Sequence, residues 1–309
     1  MRLAATTTTD PVERVPDEQP LPTAGSPGRP QAGTRVYTPV PRFSYRLADL
    51  WRYRGLLRYF GKVYIQKRYR RTWLGWLWIP IRPTLDVAGR VLLFGSLLGV
   101  ASGTRPYFMF FIVGATAWRF FSIGVIWATR ALELNANLFN RVHLPRVSAV
   151  AASIVPAAIE AGIFALIGLV GAVYYKVTQG SFFLFVGPSS LAALAGIALL
   201  ALYVVAIGLW TAPIGYHARD IRFILTYVLG FWYVITPVIY PISSIPEKFR
   251  PLAEYNPLTA PVEFVKYGIL QTAPPTDTSI VVSLVVLGAL LVGGVLVFAR
   301  AEARAAAAV

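Results

Sequence analysis

The chain has 309 residues, a formal net charge of +15 and no cysteine, which excludes disulfides, thiolate catalysis and cysteine-ligated metals. Hydrophobic residues make up 56% of it and charged residues only 14%, where a soluble domain carries about 25% charged. The mean hydropathy is +0.58, and the cations crowd beside long apolar runs, which points to lipid headgroups and bilayer orientation rather than to nucleic acid.

Residues 1–44 are rich in Thr, Pro, Gly and charge (TTTTD, PDEQPLP, GSPGRP) and read as a disordered tail that cannot bury enough apolar surface to offset chain entropy. They hold no apolar h-region of a signal peptide. Residues 45–71 change character. Leu50, Tyr53, Leu57, Phe60 and Tyr64 step by three and four along one helical stripe, with Arg52, Arg54, Arg58 and Lys62 off it. That pattern predicts an amphipathic helix lying in the membrane interface, or a surface helix docked on a soluble partner.

A crossing takes about 20 apolar residues at 1.5 Å each. Six stretches qualify, at 82–102, 107–129, 148–175, 185–212, 222–240 and 279–299, the fifth being the shortest. The predicted fold is therefore an all-α integral membrane protein with six transmembrane helices. Both ends then fall on one side, which from Arg42 onward carries 18 Lys and Arg against 5 on the other, so the positive-inside rule places both termini, including a short tail at 301–309, in the cytoplasm. The external segment 241–278 is moderately apolar and broken by prolines. Residues 246–255 and 259–270 each suit a short helix, which predicts a re-entrant helical hairpin.

Four features bear on function. Lys67, Arg68, Arg70 and Arg71 stand directly before Trp73, Trp76 and Trp78, a pattern that serves phosphate pairing or simple anchoring equally well. Residues 132–146 (LELNANLFNRVHLPR) form a cytoplasmic segment between two spans that suits either a docking helix or a plain connection. Asp86, Arg90, Arg119 and Glu160 lie within spans, where an ion at the helix centre costs about 2.5–3.5 kcal/mol. Asp86 and Arg90 are spaced to neutralise each other, whereas Arg119, deepest in its span, calls for a cavity or a cross-helix partner. Aromatic residues, 14% of the chain, suit both interface anchoring and stacking on sugar rings. His143 and His217 are too few and too distant for a metal cluster, and no GxxxxGK[ST] phosphate loop occurs.

KRYRRTWLGWLWIPIRP (67–83), FIVGATAWRFF (111–121), NLFNRVHLPR (137–146) and TPVIYPISSIPEKFRPLAEYNPLTAPVEFVKYGIL (236–270), in this order and at these spacings, resemble the permease subunits of type-2 ABC exporters for O-antigen, teichoic acid and mycobacterial-type galactan. The likeness covers residues 45–300, with 72–300 as the six-span domain. It implies a non-enzymatic homodimer in the bacterial inner membrane, with two copies of a cytoplasmic ATPase that bind the ATP and Mg, so that this chain needs no cofactor. The implied cargo is a polysaccharide linked to undecaprenyl pyrophosphate. By the same resemblance Arg68, Arg70, Arg71, Leu74 and Gly75 border substrate entry. Leu134, Leu138, Phe139, Arg141, Pro145 and Arg146 contact the ATPase. Phe94, Trp118, Arg119 and Tyr233 are channel candidates, and the hairpin 243–270, with Tyr240, Pro241, Pro246, Tyr255, Asn256 and Pro257, forms an external gate. The competing readings are export of a drug or small lipid on the same architecture, a secondary carrier, which lacks visible coupling-ion sites, and a polytopic glycosyltransferase, which lacks a paired carboxylate motif.

Overall fold

The computed structural model describes residues 59, 77–100, 105–136 and 146–307, with 305–307 by backbone alone. The expected tail and interfacial helix lie outside these residues, except Tyr59, which is helical. No strand occurs among the described residues. Helix α1 (Trp78–Arg90) continues as a π-helical stretch, Val91–Leu97. Then follow α2 (Tyr107–Thr129), the short α3 (Ala131–Leu134) and α4 (Arg146–Ala151), α5 (Ile154–Gln179), α6 (Ser190–His217) and α7 (Ile221–Ile235). Two 3-10 turns, Ile242–Ser244 and Glu247–Phe249, lead into α8 (Arg250–Glu254), α9 (Thr259–Leu270) and α10 (Asp277–Ala307).

Four helical stretches are long and apolar enough to cross a bilayer: Tyr107–Thr129, Arg146–Gln179, Ser190–His217 and Asp277–Arg304. The second is interrupted by a turn at Ala152–Ser153, ahead of Pro156. The sequence-based span 107–129 coincides with α2. The first expected span, 82–102, starts earlier, at Trp78, and leaves the helix after Leu97. The fifth, 222–240, is helical only over Ile221–Ile235, because the residue before Pro237 is driven to extended backbone at Thr236. Fifteen residues rise about 22 Å, short of the ~30 Å hydrocarbon core.

Helix α2 is the axis of the bundle. Apart from Arg119 its sequence is apolar on all sides, and it is mostly buried, whereas little of α10 is. It packs on α5 and α6, while α9 and α10 pack on α6. Glycine permits two of these approaches. A Cβ on Gly208 would lie 2.6 Å from Ala128 Cβ, and one on Gly196 would lie 2.6 Å from the Pro261 carbonyl. Buried polar side chains are paired across helices: Thr129 and Thr211 share a 2.8 Å hydrogen bond, the Tyr203 hydroxyl donates to the Ser283 carbonyl at 2.6 Å, and the Trp210 indole N–H donates to the Leu290 carbonyl at 2.9 Å. In a medium without water such bonds pin α10 to α6 in a single register.

The connections gather at two ends. At one, α3 and α4 meet the α6–α7 corner. At the other, the start of α2, the end of α5, α8, α9 and the loop before α10 come together. There the Phe185 amide bonds to the Ile269 carbonyl at 2.8 Å and the Tyr107 hydroxyl to the Ile239 carbonyl at 2.8 Å.

Candidate functional site

Between the two ends runs a polar and aromatic seam along α1, α2 and α7. The Arg90 side chain donates from Nε to Asp86 at 3.1 Å and stands 4.8 Å from the Tyr233 ring centre. Tyr233 packs on Trp118 at 5.4 Å, Trp118 on Phe121 at 5.5 Å, and Phe121 edge-on against Trp232 at 5.6 Å. Trp118 and Tyr233 are buried within the chain, whereas Asp86 and Arg90 remain part-exposed on a helix that also exposes Leu85, Leu92 and Leu97. The backbone changes from α to π immediately after Arg90. A π stretch rotates the side chains that follow and occurs frequently at functional positions. Phe94 sits within it, half-buried against the core. Arg119 reaches toward α5. Its guanidinium lies 3.8 Å from Glu160 and 5.1 Å from the Phe164 ring centre, which is the cross-helix partner its depth demanded.

At the α3 end a single carboxylate holds a cluster of guanidinium groups. Glu133 Oε1 is 3.3 Å from Arg222 and 3.9 Å from Arg219, joining α3 to the α6–α7 corner. Arg130, at the end of α2, has its pKa lowered first by burial and then by the neighbouring Arg222 charge, with Glu133 working in the opposite direction. The buried Glu133 Oε2 and Arg130 Nε have no hydrogen-bond partner in this arrangement. Leu134 closes α3 and Arg146 opens α4. Leu138, Phe139, Arg141 and Pro145 lie outside the described residues, as do Arg68, Arg70, Arg71, Leu74 and Gly75.

At the opposite end the chain turns back on itself. Buried Asn256 is the hub: its Oδ1 accepts from the Trp232 indole at 2.8 Å and from the Leu258 amide at 3.2 Å, while its Nδ2 donates to Thr236 Oγ1 at 2.9 Å. This fastens the α8–α9 turn to the end of α7. The Tyr240 hydroxyl donates to the Val234 carbonyl at 2.5 Å, Pro241 and Pro246 precede the two 3-10 turns, and Tyr255 projects from the end of α8 beside half-buried Pro257.

The residue that sequence reading missed is Lys266. It counts as an external cation in the charge tally, yet it is only 2% exposed. Its Nζ donates to the Pro237 carbonyl and sits 4.1 Å from the Phe110 ring centre. Gly114 leaves it room, since a Cβ there would lie 3.2 Å from Lys266 Cε. Burial presses the Lys266 pKa down, and Glu263 opposes that. Burial likewise pushes Glu263 up, Lys266 opposes it and Glu254 adds to it. The one sequence signal for this pairing is the i, i+3 spacing of Glu263 and Lys266 on a short helix.

With this geometry in view, comparison with known proteins is informative. The family model for ABC-2 type transporters matches residues 57–270. An O-antigen export system permease protein, RfbA, of Myxococcus xanthus is 28% identical over 204 residues, 65% of this chain and 74% of the relative. The protein of the same name from Klebsiella pneumoniae is 23% identical over 202 residues, 63% and 73% of the two chains. The family match takes in α1 through α9 and so spans the seam and both of its ends: this chain is a multi-pass membrane protein of the ABC-2 type transporter family, a permease subunit.

Proposed function

We propose that this permease forms, as a homodimer, the membrane path of an exporter for lipid-linked polysaccharide, driven by two copies of a separate cytoplasmic ATPase. The observation that carries the cargo class is that both relatives bear the name of O-antigen export permeases. The structure supports a path lined by two copies. Asp86 and Arg90 are part-exposed on α1, and α7 exposes Tyr227 (80%) and Phe231 (71%). An exposed ion pair within the bilayer needs water or protein beside it rather than lipid tails. A second copy of α1 and α7 facing this seam would enclose it in a water-filled, aromatic-walled channel, where ring faces offer sugar rings contact without fixing them.

In this reading the basic run Arg68–Arg71, with Leu74 and Gly75, receives the pyrophosphate at the cytoplasmic surface. Residues 132–146 take up the movement of the ATPase, which binds the ATP and Mg. Glu133 passes that movement to α7 through Arg222 and Arg219, and the α8–α9 hairpin opens at the outer end. Depletion in the host tests the cargo. Lipid-linked polymer should accumulate inside while synthesis continues, and unchanged surface polymer would reject this cargo. Purified alone, the chain should hydrolyse no ATP. Co-expressed with its ATPase, it should copurify with an ATP-hydrolysing complex.

A further inference from the structure

A cavity of about 540 Å³ opens beside the buried lysine, at the hairpin end of the bundle. Its wall includes Arg105 before α2, Ser243 of the first 3-10 turn, Arg250 and Glu254 of α8, Glu263 and Lys266 of α9, and Gln271 after α9. The volume falls within the range of about 300–1,000 Å³ that holds small ligands.

The chemistry of the wall narrows the ligand. Lys266 is engaged with the Pro237 carbonyl and the Phe110 face, so it organises the floor rather than reaching into the space. Arg105 donates to the Phe183 carbonyl at 3.5 Å. Arg250 is the third cation of the wall. The wall also carries two carboxyl groups, Glu254 and Glu263. Glu254 repels a phosphate or a carboxylate ligand, with Glu263 adding to that where it is ionised, and three cations repel a metal ion. A neutral polyhydroxylated ring suits both sets, since each hydroxyl donates to a carboxylate and accepts from a guanidinium.

At the rim, Gln271 (φ 53°) is the left-handed residue that caps the end of α9, its amide donating to the Tyr267 carbonyl at 2.9 Å.

We propose that this cavity is a carbohydrate subsite that takes a neutral pyranose unit at the hairpin end of the transport path. The assignment rests on the polysaccharide-export reading for its biological meaning, but the site itself is tested by binding alone.

The full chain in lipid nanodiscs is titrated with the methyl glycosides of glucose, galactose, mannose and rhamnose, and separately with methyl glucuronide and inorganic phosphate, at millimolar concentrations. Saturation-transfer NMR reads binding. At least one neutral glycoside should bind, and Arg250→Lys, Glu254→Gln and Ser243→Trp should each weaken it by about tenfold or more. Ser243 is an exposed residue of the wall, so an indole there fills the space without entering the core. Lys248→Ala, exposed and outside the wall, should bind as the native chain does. The proposal is overturned if no neutral glycoside binds, if binding ignores all three wall variants, or if glucuronide or phosphate binds in preference. Sugar binding with no polymer export in the host would refute the cargo reading alone. Export without sugar binding would refute the subsite alone.

Discussion

The two ends of the bundle each centre on one charged side chain, and they solve its burial in opposite ways. Glu133 lies among three guanidinium groups, at 3.3 Å from Arg222 and 3.9 Å from Arg219, and keeps about a quarter of its side-chain surface exposed. Lys266 is fully enclosed and is met by a neutral carbonyl and a ring face, with Glu263 near it on the same helix. Ion pairs between partly exposed side chains on separate elements break and re-form at little cost. A buried ammonium that caps a backbone carbonyl has no such freedom. One end is therefore built to shift, while at the other α9 is anchored to the bundle, a fixed point about which the rest of the hairpin would open in the proposed cycle.

Reversing the charge at the rigid end is the severest way to break the contrast. Lys266→Glu sets a carboxylate against the Pro237 carbonyl and beside Glu263, and breaking a buried charge arrangement costs about 3–5 kcal/mol. The variant should fail to reach the membrane in folded form, as read by fluorescence-detected gel filtration in detergent. A native elution profile would refute the capping role. Gly114→Val should cost less, about 1–3 kcal/mol from overpacking, since its Cβ would lie 3.0 Å from the Val238 carbonyl and 3.2 Å from Lys266 Cε. A melting temperature lowered by several degrees is the expected outcome, and an unchanged one would show that the floor of the cavity yields.

The mobile end predicts the reverse pattern, a small stability change with a large loss of output. Glu133→Gln removes part-exposed pairs worth about 1 kcal/mol or less, so the melting temperature should barely move. Export should fall several-fold, with ATP hydrolysis in the complex retained. Exchanging the charges, Glu133→Arg with Arg222→Glu, should recover part of the export. Full export by Glu133→Gln would show that the link between α3 and α7 carries no movement.

How much of this was legible in advance differs from helix to helix. Helix α2 was fully legible, because a long apolar run with no proline and a single charge, Arg119, leaves one outcome, and 107–129 is where it formed. The end of α7 was less so, since residues 236–240 are as apolar as a span and only Pro237 signals that the helix stops. Of the two short helices expected at 246–255 and 259–270, the second formed over Thr259–Leu270, whereas the first is a 3-10 turn, Glu247–Phe249, followed by the five residues Arg250–Glu254. The burial of Lys266 could not be read, because a cation in an external segment is ordinarily solvated, and its concealment depends on Phe110, Gly114 and Pro237, residues more than 25 positions away. Arg119 and Glu160 were each visible as anomalies, but 41 residues separate them, and no local period reveals a contact across two helices.

The gentlest probe of the rigid end is pH. Burial pushes the Glu263 carboxyl up to about 7 from an ordinary value of 4.5. A carboxyl whose pKa rises on folding favours the folded hairpin while it is protonated. That contribution is full below about 4.5 and is lost as pH climbs through about 7. Lys266 shifts in the opposite sense, to about 8 from 10.5. Its contribution is therefore present at high pH and is lost on descending from 10.5 to about 8, above the window in which Glu263 titrates. Between pH 5 and 7 the lysine stays charged, and only the carboxyl changes state. Amide hydrogen exchange across α9, corrected for the intrinsic pH dependence of exchange, should thus be modestly slower at pH 5 than at pH 7.5. Infrared difference spectra should show a carboxyl band that disappears with a midpoint near 7 and is absent in Glu263→Gln. The same band persisting with an ordinary carboxylate midpoint would place Glu263 in water, and the contrast between a fixed end and a yielding one would then rest on Lys266 alone.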